Sequence, residues 1–308
     1  MSTRELVILG TASQAPTPER NHNGYLLRWG AHGILFDPGE GTQRQCQIAQ
    51  VSTSTIDRIC ITHFHGDHCL GLPGVLLHQT MHRVDTPVVL NYPAGGEEYL
   101  QRLRNASIGH DRVDLRAEPV HADGVIATED DYVLSAAALD HVVPAVGWRV
   151  EDHGGHTMDP ERLAAFGLEG AAIGELRDHG RVIAPDGRIV GISEVSDVRD
   201  PVSMAFVMDT RPCPGALELA RGVDLLVCEA TFTDDDEALA AAAGHLTGGQ
   251  AGRLAAEAGA KQLVLSHFSS RYDGVDQIVA DARREFPAAV AANDFDRFEV
   301  RVSRDRNS

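Results

Sequence analysis

The run Ile59-Cys60-Ile61-Thr62-His63-Phe64-His65-Gly66-Asp67-His68 constrains this chain more than any other part of it. An apolar strand ends at Thr62, and four candidate metal ligands follow at once. His63 and His65 are two apart in extended backbone, so both imidazoles leave on the same side while Phe64 points into the core. Gly66 permits a turn that brings Asp67 and His68 round to a neighbouring point. Such a run can serve two adjacent cations, one taken by each pair of ligands. Fifteen histidines beside five tyrosines and two tryptophans agree with metal chemistry.

Two adjacent cations need more ligands than this run holds. Three later positions each close a predicted strand, where an α/β sandwich presents its site residues. His141 follows Tyr132 to Leu139, Asp209 follows Met204 to Met208, and His267 follows Leu263 to Ser266. A carboxylate in the position of Asp209 can bridge two cations. Singly, each residue also reads as a loop polar group or a helix cap. Their coincidence with the first run argues for one shared site.

Short β-branched runs at Leu6 to Leu9, Tyr25 to Trp29, Ile34 to Asp37 and Arg58 to Thr62 predict strands, with helices over Thr42 to Gln50, Leu72 to Met81 and Glu97 to Asn105. The second half repeats the order. Strands are predicted at Met204 to Asp209, Asp224 to Glu229 and Gln262 to Ser266, and helices over Gly215 to Arg221, Thr247 to Gly259 and Val275 to Phe286. The fold class is therefore α/β, a sandwich with mixed sheets. Residues 151–200 are rich in Gly, Asp and His without a long apolar period, and read as an inserted arm, with a small unrelated domain as the alternative. The acidic cluster Asp234 to Glu237 reads as a solvated helix start.

Cys46, Cys60, Cys69, Cys213 and Cys228 form no CxxC pair and an odd total, which argues for buried thiols in a reducing compartment. No signal-peptide pattern or membrane-length apolar run is present, so the expectation is a cytoplasmic protein with no membrane association. Lys and Arg number 27 against 45 Asp and Glu, a net charge of -18. A polyanionic substrate must then be drawn by a local patch or by bound cations.

THFHGDH resembles the HxHxDH signature of the metallo-β-lactamase superfamily. LVILGTAS, FDPGEGTQRQ (36–45), MDTRPCP (208–214), CEATF (228–232), HLTGGQA (245–251) and LSHFSSRY (265–272) narrow the resemblance to the ribonuclease Z (tRNA 3′-endonuclease) family. It implies an αββα sandwich over 1–308 as a single domain, with 151–200 a flexible inserted arm acting as a tRNA-binding exosite. It also implies two Zn2+ per subunit, one held by His63, His65, His141 and Asp209, the other by Asp67, His68, Asp209 and His267. Asp67 would act as proton acceptor and orient the attacking water. His245 would protonate the leaving oxygen, and Glu229 would hold His245 protonated; the plain alternatives are a helix cap for His245 and a structural hydrogen-bonder for Glu229. Asp37, Glu40 and the glycines of FDPGEGTQ shape a tight loop under the metals. The family partner is precursor tRNA and the family assembly a homodimer.

This chain departs from the family in the arm. Residues 167–176 read GLEGAAIGEL, without the family's Gly-Pro, and Arg177, Arg181 and Arg188 are offset by Glu169, Glu175, Asp178 and Asp186. The leading expectation is removal of the 3′ trailer from precursor tRNA. The acidic charge and altered arm motivate an alternative, a phosphodiesterase acting on cyclic or short nucleotides. A metal-stabilised RNA-binding module is the non-enzyme alternative, against which the intact set of presumed ligands argues. The same ligands accept manganese, cobalt or iron. His22, His32, His78, His82, His110, His121, His153, His156 and His179 read as surface or hydrogen-bonded loop residues.

Overall fold

The computed structural model describes residues 4–109 and 111–301. The β-branched runs pair into two seven-stranded sheets. The first runs, in spatial order, Arg297–Glu299, Arg4–Gly10, Gly24–Trp29, His32–Phe36, Ile56–Cys60, Val88–Pro93 and Leu115–Val120. Its pairings are antiparallel up to His32–Phe36 and parallel beyond. The second runs Val290–Ala291, Leu263–Ser266, Leu225–Glu229, Ser203–Val207, Ala145–Glu151, Val133–Leu139 and Gly124–Thr128. There the first three pairings are parallel and the rest antiparallel.

Strand alternation assigns the layers. Leu26 and Leu35 face the helices Leu72–Met81 and Glu97–Arg104, in a cluster with Ile59, Leu90, Leu76 and Leu100. Their neighbours Tyr25 and Phe36 point the other way and meet Phe206 of the second sheet, with ring centroids 4.8 and 4.9 Å apart. The second sheet's outer face packs Val207, Leu226 and Leu265 against Ala216, Ala251, Ala255 and Ile278. Two sheets face to face with helices outside give the αββα sandwich. Truncating a ring such as Phe206, wholly buried between the sheets, costs about 3–5 kcal/mol.

One local reading is extended. The acids Asp234 to Glu237 do lead into the Glu237–Ala243 helix, and the Asp234 carboxylate in addition accepts from Thr247 Oγ1 at 2.5 Å and from the Gly249 N–H at 2.9 Å, and so also caps the Gly248–Ala258 helix. Thr247 and Gln250 complete a capping box there, and Gly259, at φ +67°, ends the helix.

The chain divides into two compact units, one formed by residues up to 151 and from 203, the other by residues 152–202. The second unit pairs Gly155–Met158 with Ser196–Arg199 and Arg181–Ile183 with Ile189–Gly191, and carries helices Pro160–Ala165 and Ala171–His179. Leu163, Leu168, Leu176, Val182, Ala184, Val190 and Val195 form its own apolar cluster. Elements of three to nine residues are too short to write a long period into the sequence. At its base the Asp152 N–H donates to the Val202 carbonyl at 3.0 Å, and the Asp152 carboxylate receives Arg199 at 2.8 Å. Among the described residues no helix is long and apolar enough to cross a membrane.

Candidate metal centre

The His32–Phe36 and Ile56–Cys60 strands lie parallel with Phe36 opposite Cys60, so the residues just beyond them are neighbours. Asp37, fully buried at φ +45°, takes the Thr62 N–H on Oδ1 and the Thr62 hydroxyl on Oδ2, both at 2.7 Å. It also receives His68 Nδ1 at 2.8 Å, which turns His68 Nε2 inward. Burial pushes the Asp37 carboxyl up, against the pull of His68. The loop under the site is tight because glycines allow it. A Cβ on Gly39 would lie 2.2 Å from the Asp67 carbonyl oxygen, and one on Gly71 1.9 Å from that of Gly39.

Seven side chains converge above this loop. In one group His63 Nε2 lies 2.9 Å from His65 Nδ1, His141 Nε2 lies 3.3 Å from the same atom, and Asp209 Oδ2 is 3.5 Å from His63 and 3.8 Å from His141. In the other His68 Nε2 and His267 Nε2 are 3.3 Å apart, and Asp67 Oδ2 is 3.4 Å from each. Asp209 Oδ1 faces this second group, 3.4 Å from His68 and 3.2 Å from His267. One carboxylate thus presents a different oxygen to each group. Asp209 holds that pose at φ +49°, just past the Ser203–Val207 strand.

The electrostatics suit cations. Burial pushes the His63 imidazole well below its ordinary range, and burial lowers His65 and His141 as well, which keeps their lone pairs available. The Asp209 carboxyl is penalised by burial, yet the surrounding histidines, His267 foremost, hold it well below the usual carboxylate range. Its Oδ1 is buried without a hydrogen-bond partner. An orphaned buried oxygen among imidazole nitrogens is a donor set short of protons, and a divalent cation would satisfy it. Among the described residues three groups of ligand atoms each lie within 4.8 Å of one another: His63, His65, His141 and Asp209; Asp67, His68 and His267; and Asp209, His245 and His267.

Beside these side chains lies a carboxylate–imidazole pair. Glu229, fully buried at the end of Leu225–Glu229, accepts from the Thr210 N–H and the Thr231 hydroxyl at 2.6 Å each and from His245 Nδ1 at 3.1 Å. Burial lowers His245, but the Glu229 and Asp209 carboxylates outweigh it and the imidazole is pushed up to about 9.

Sequence reasoning missed several supporting groups. The Gln14 N–H donates to Asp67 Oδ2 at 2.8 Å, the Gly244 carbonyl meets His141 Nδ1 at 2.8 Å, and Thr231 Oγ1 meets His267 Nδ1 at 2.8 Å. Backbone groups carry no side-chain signal. Thr231 had one, since it stands two residues beyond Glu229 in extended chain and so shares its side. The other histidines are mostly tied elsewhere: His22 to the Gln14 carbonyl, His32 to Asp57 and His156 to Ser196. His110 lies outside the described residues. Four cysteines are buried, Cys213 is partly so, and all are free thiols.

The chain matches the Metallo-beta-lactamase superfamily over residues 17–160 and the Beta-lactamase superfamily domain over residues 185–268. A protein of Nocardia farcinica named Ribonuclease Z is 54% identical over 302 residues, covering 97% of this chain and 99% of its own length. A Ribonuclease Z of Chlamydia trachomatis is 41% identical over 299 residues, covering 97% and 98%. Among solved structures, the short form of human tRNase Z superposes with a TM-score of 0.68 at 24% identity, over 97% of this chain and 100% of that one. The metallo-beta-lactamase fold protein YhfI of Bacillus subtilis gives 0.71 at 17%, with the same coverage. At those identities the two structures speak for the fold alone.

Proposed function

The chain belongs to the ribonuclease Z family, and on that premise we propose that it is a dinuclear zinc endoribonuclease that removes the 3′ trailer from precursor tRNA, leaving a 3′-hydroxyl on the tRNA and a 5′-phosphate on the trailer. The observation that carries this reading is the split of the Asp209 carboxylate, one oxygen toward His63, His65 and His141, the other toward Asp67, His68 and His267. When bound, such an ion pair lowers the pKa of a water and offsets charge on the phosphoryl oxygens.

The remaining work falls to the side chains. Asp67, fixed by the Gln14 N–H, orients the water and accepts its proton. His245 keeps Nδ1 on Glu229, and its protonated form at neutral pH leaves Nε2–H to protonate the departing ribose 3′-oxygen. Asp37 and Thr231 hold His68 and His267 in the orientation that keeps Nε2 inward. Action in the cytoplasm, assembly as a homodimer and tRNA contact by residues 152–202 belong to the same proposal and rest on family membership.

The test pairs a metal analysis with cleavage of a precursor tRNA bearing a 3′ trailer, product ends being mapped, and with cyclic AMP as a competing substrate. Two zinc ions per chain and a single cut after the discriminator base are expected. Hydrolysis of cyclic AMP without cleavage of the precursor would overturn the assignment in favour of a small phosphodiester.

A further inference from the structure

A second pair of imidazoles stands apart from the centre. His78 on the Leu72–Met81 helix and His82 at its C-cap are four residues apart, and the His82 N–H bonds the His78 carbonyl at 3.1 Å, which keeps both side chains on one face. Their Nε2 atoms are 3.2 Å apart, with ring centroids 4.3 Å apart and planes inclined by 63°. The Gln47 side-chain amide, from the Thr42–Ile48 helix, reaches to 3.4 Å from His78 Nε2. Behind the ring, Nδ1 of His78 is 2.7 Å from the hydroxyl of buried Thr53.

These contacts do more than stack two rings. A metal-ligating imidazole characteristically has its other nitrogen held by a hydrogen bond, which fixes ring and tautomer. Thr53 can serve His78 in that way and leave Nε2 as the lone-pair atom. Two imidazole nitrogens bound at ~2.0–2.1 Å to one ion lie ~2.9–3.4 Å apart for bond angles between right and tetrahedral, and the observed 3.2 Å falls within that span. The amide, turned to present its oxygen, supplies a third donor. Burial, with His82 beside it, holds His78 below the ordinary imidazole range, so it competes weakly for protons. His82 and Gln47 are exposed, and an ion reaches them without rearranging the fold.

We propose that His78, His82 and Gln47 form a peripheral site for one divalent cation of the imidazole-preferring class, with copper(II) bound more tightly than nickel(II) or zinc(II). The proposal does not depend on the nuclease reading, because no residue of the metal centre contributes to it.

The experiment uses the full chain with its metal centre loaded with zinc, into which copper(II) is titrated and followed by electron paramagnetic resonance, with zinc release measured in parallel. One copper per chain is expected with splitting from two nitrogens and no loss of zinc. His82→Ala, at an exposed position, should weaken that copper at least about tenfold, which is ~1.4 kcal/mol. Gln47→Ala should weaken it less, and neither change should alter activity of the zinc form. Copper uptake matched by zinc release, no uptake at all, or equal affinity in wild type and His82→Ala would each overturn the proposal.

Discussion

Glu229→Gln separates the charge of Glu229 from its shape. The glutamine fits the same space: its oxygen still accepts from the Thr210 N–H and His245 Nδ1, and its amide nitrogen faces the Thr231 hydroxyl, which can turn to accept. What disappears is the negative partner of the imidazolium. A hydrogen bond to a charged group contributes about 1.5–3 kcal/mol, and at about 1.4 kcal/mol per pKa unit this lowers His245 by ~1–2 units. His245 is raised above its ordinary value, so the protonated form is complete at neutral pH and is lost as pH rises through about 9. In the variant that loss moves to roughly pH 7–8. Single-turnover cleavage of precursor tRNA between about pH 6 and 9.5 reads the chemical step directly. The variant should be close to wild type at the acid end and roughly tenfold slower near pH 8.5, with unchanged zinc content. If the basic limb falls at the same pH in both proteins, His245 is not the proton donor held by Glu229.

Asp209→Asn keeps a residue tolerant of positive φ but removes the shared charge, and should lose more zinc by elemental analysis than His63→Ala, which removes a ligand of one ion only. Equal zinc in Asp209→Asn and wild type would take the residue out of the bridge. Gly39→Ala drives a methyl into the Asp67 carbonyl; a loss of ~1–3 kcal/mol in denaturant stability with weaker zinc binding is expected, and an unchanged midpoint would contradict the tight-loop argument. Glu151 lies directly opposite Ser203, so residues 152–202 can be replaced by Asn-Gly as a hairpin turn. The shortened chain should hydrolyse a small phosphodiester at nearly the wild-type rate while its KM for precursor tRNA rises several-fold, with a shallow salt dependence because the excised acids offset its arginines. Unchanged tRNA affinity would show that the segment does not grip RNA.

The candidate metal centre was legible as a cluster because its residue types stand at strand ends. His63, His65, Asp67 and His68 follow one buried strand, and His141, Asp209 and His267 each follow another, so a continuous apolar run with a polar metal-ligating type after it marked the seven side chains that the fold brings together. Asp37 was read as shaping the loop, and its carboxylate bonds to Thr62 and His68 are how it does so. Gln14 and Gly244 act through their backbones, which no residue type announces. The cluster around Leu176 escaped for a different reason: its members come from helices and strands of a single turn or two, each contributing one or two apolar residues. The second role of Asp234 was hidden because a carboxylate near one helix start can also cap another that is adjacent only in space.

The two-stranded base of residues 152–202 also bears on the order in which the sheet assembles. Pairing Ala145–Glu151 with Ser203–Val207 in an unfolded chain means closing the whole intervening segment, and closure entropy grows by about 0.6 kcal/mol for each doubling of loop length. Because that segment carries its own apolar cluster and joins Asp152 to Val202, its prior collapse brings the two strands within a few residues of each other. Roughly four to five doublings, or about 2.5–3 kcal/mol, are then removed from the barrier to forming the centre of the second sheet. Leu176, wholly buried in the segment, becomes a kinetic element of a sheet it does not belong to: trimming it should slow refolding of the strand that leads into Asp209.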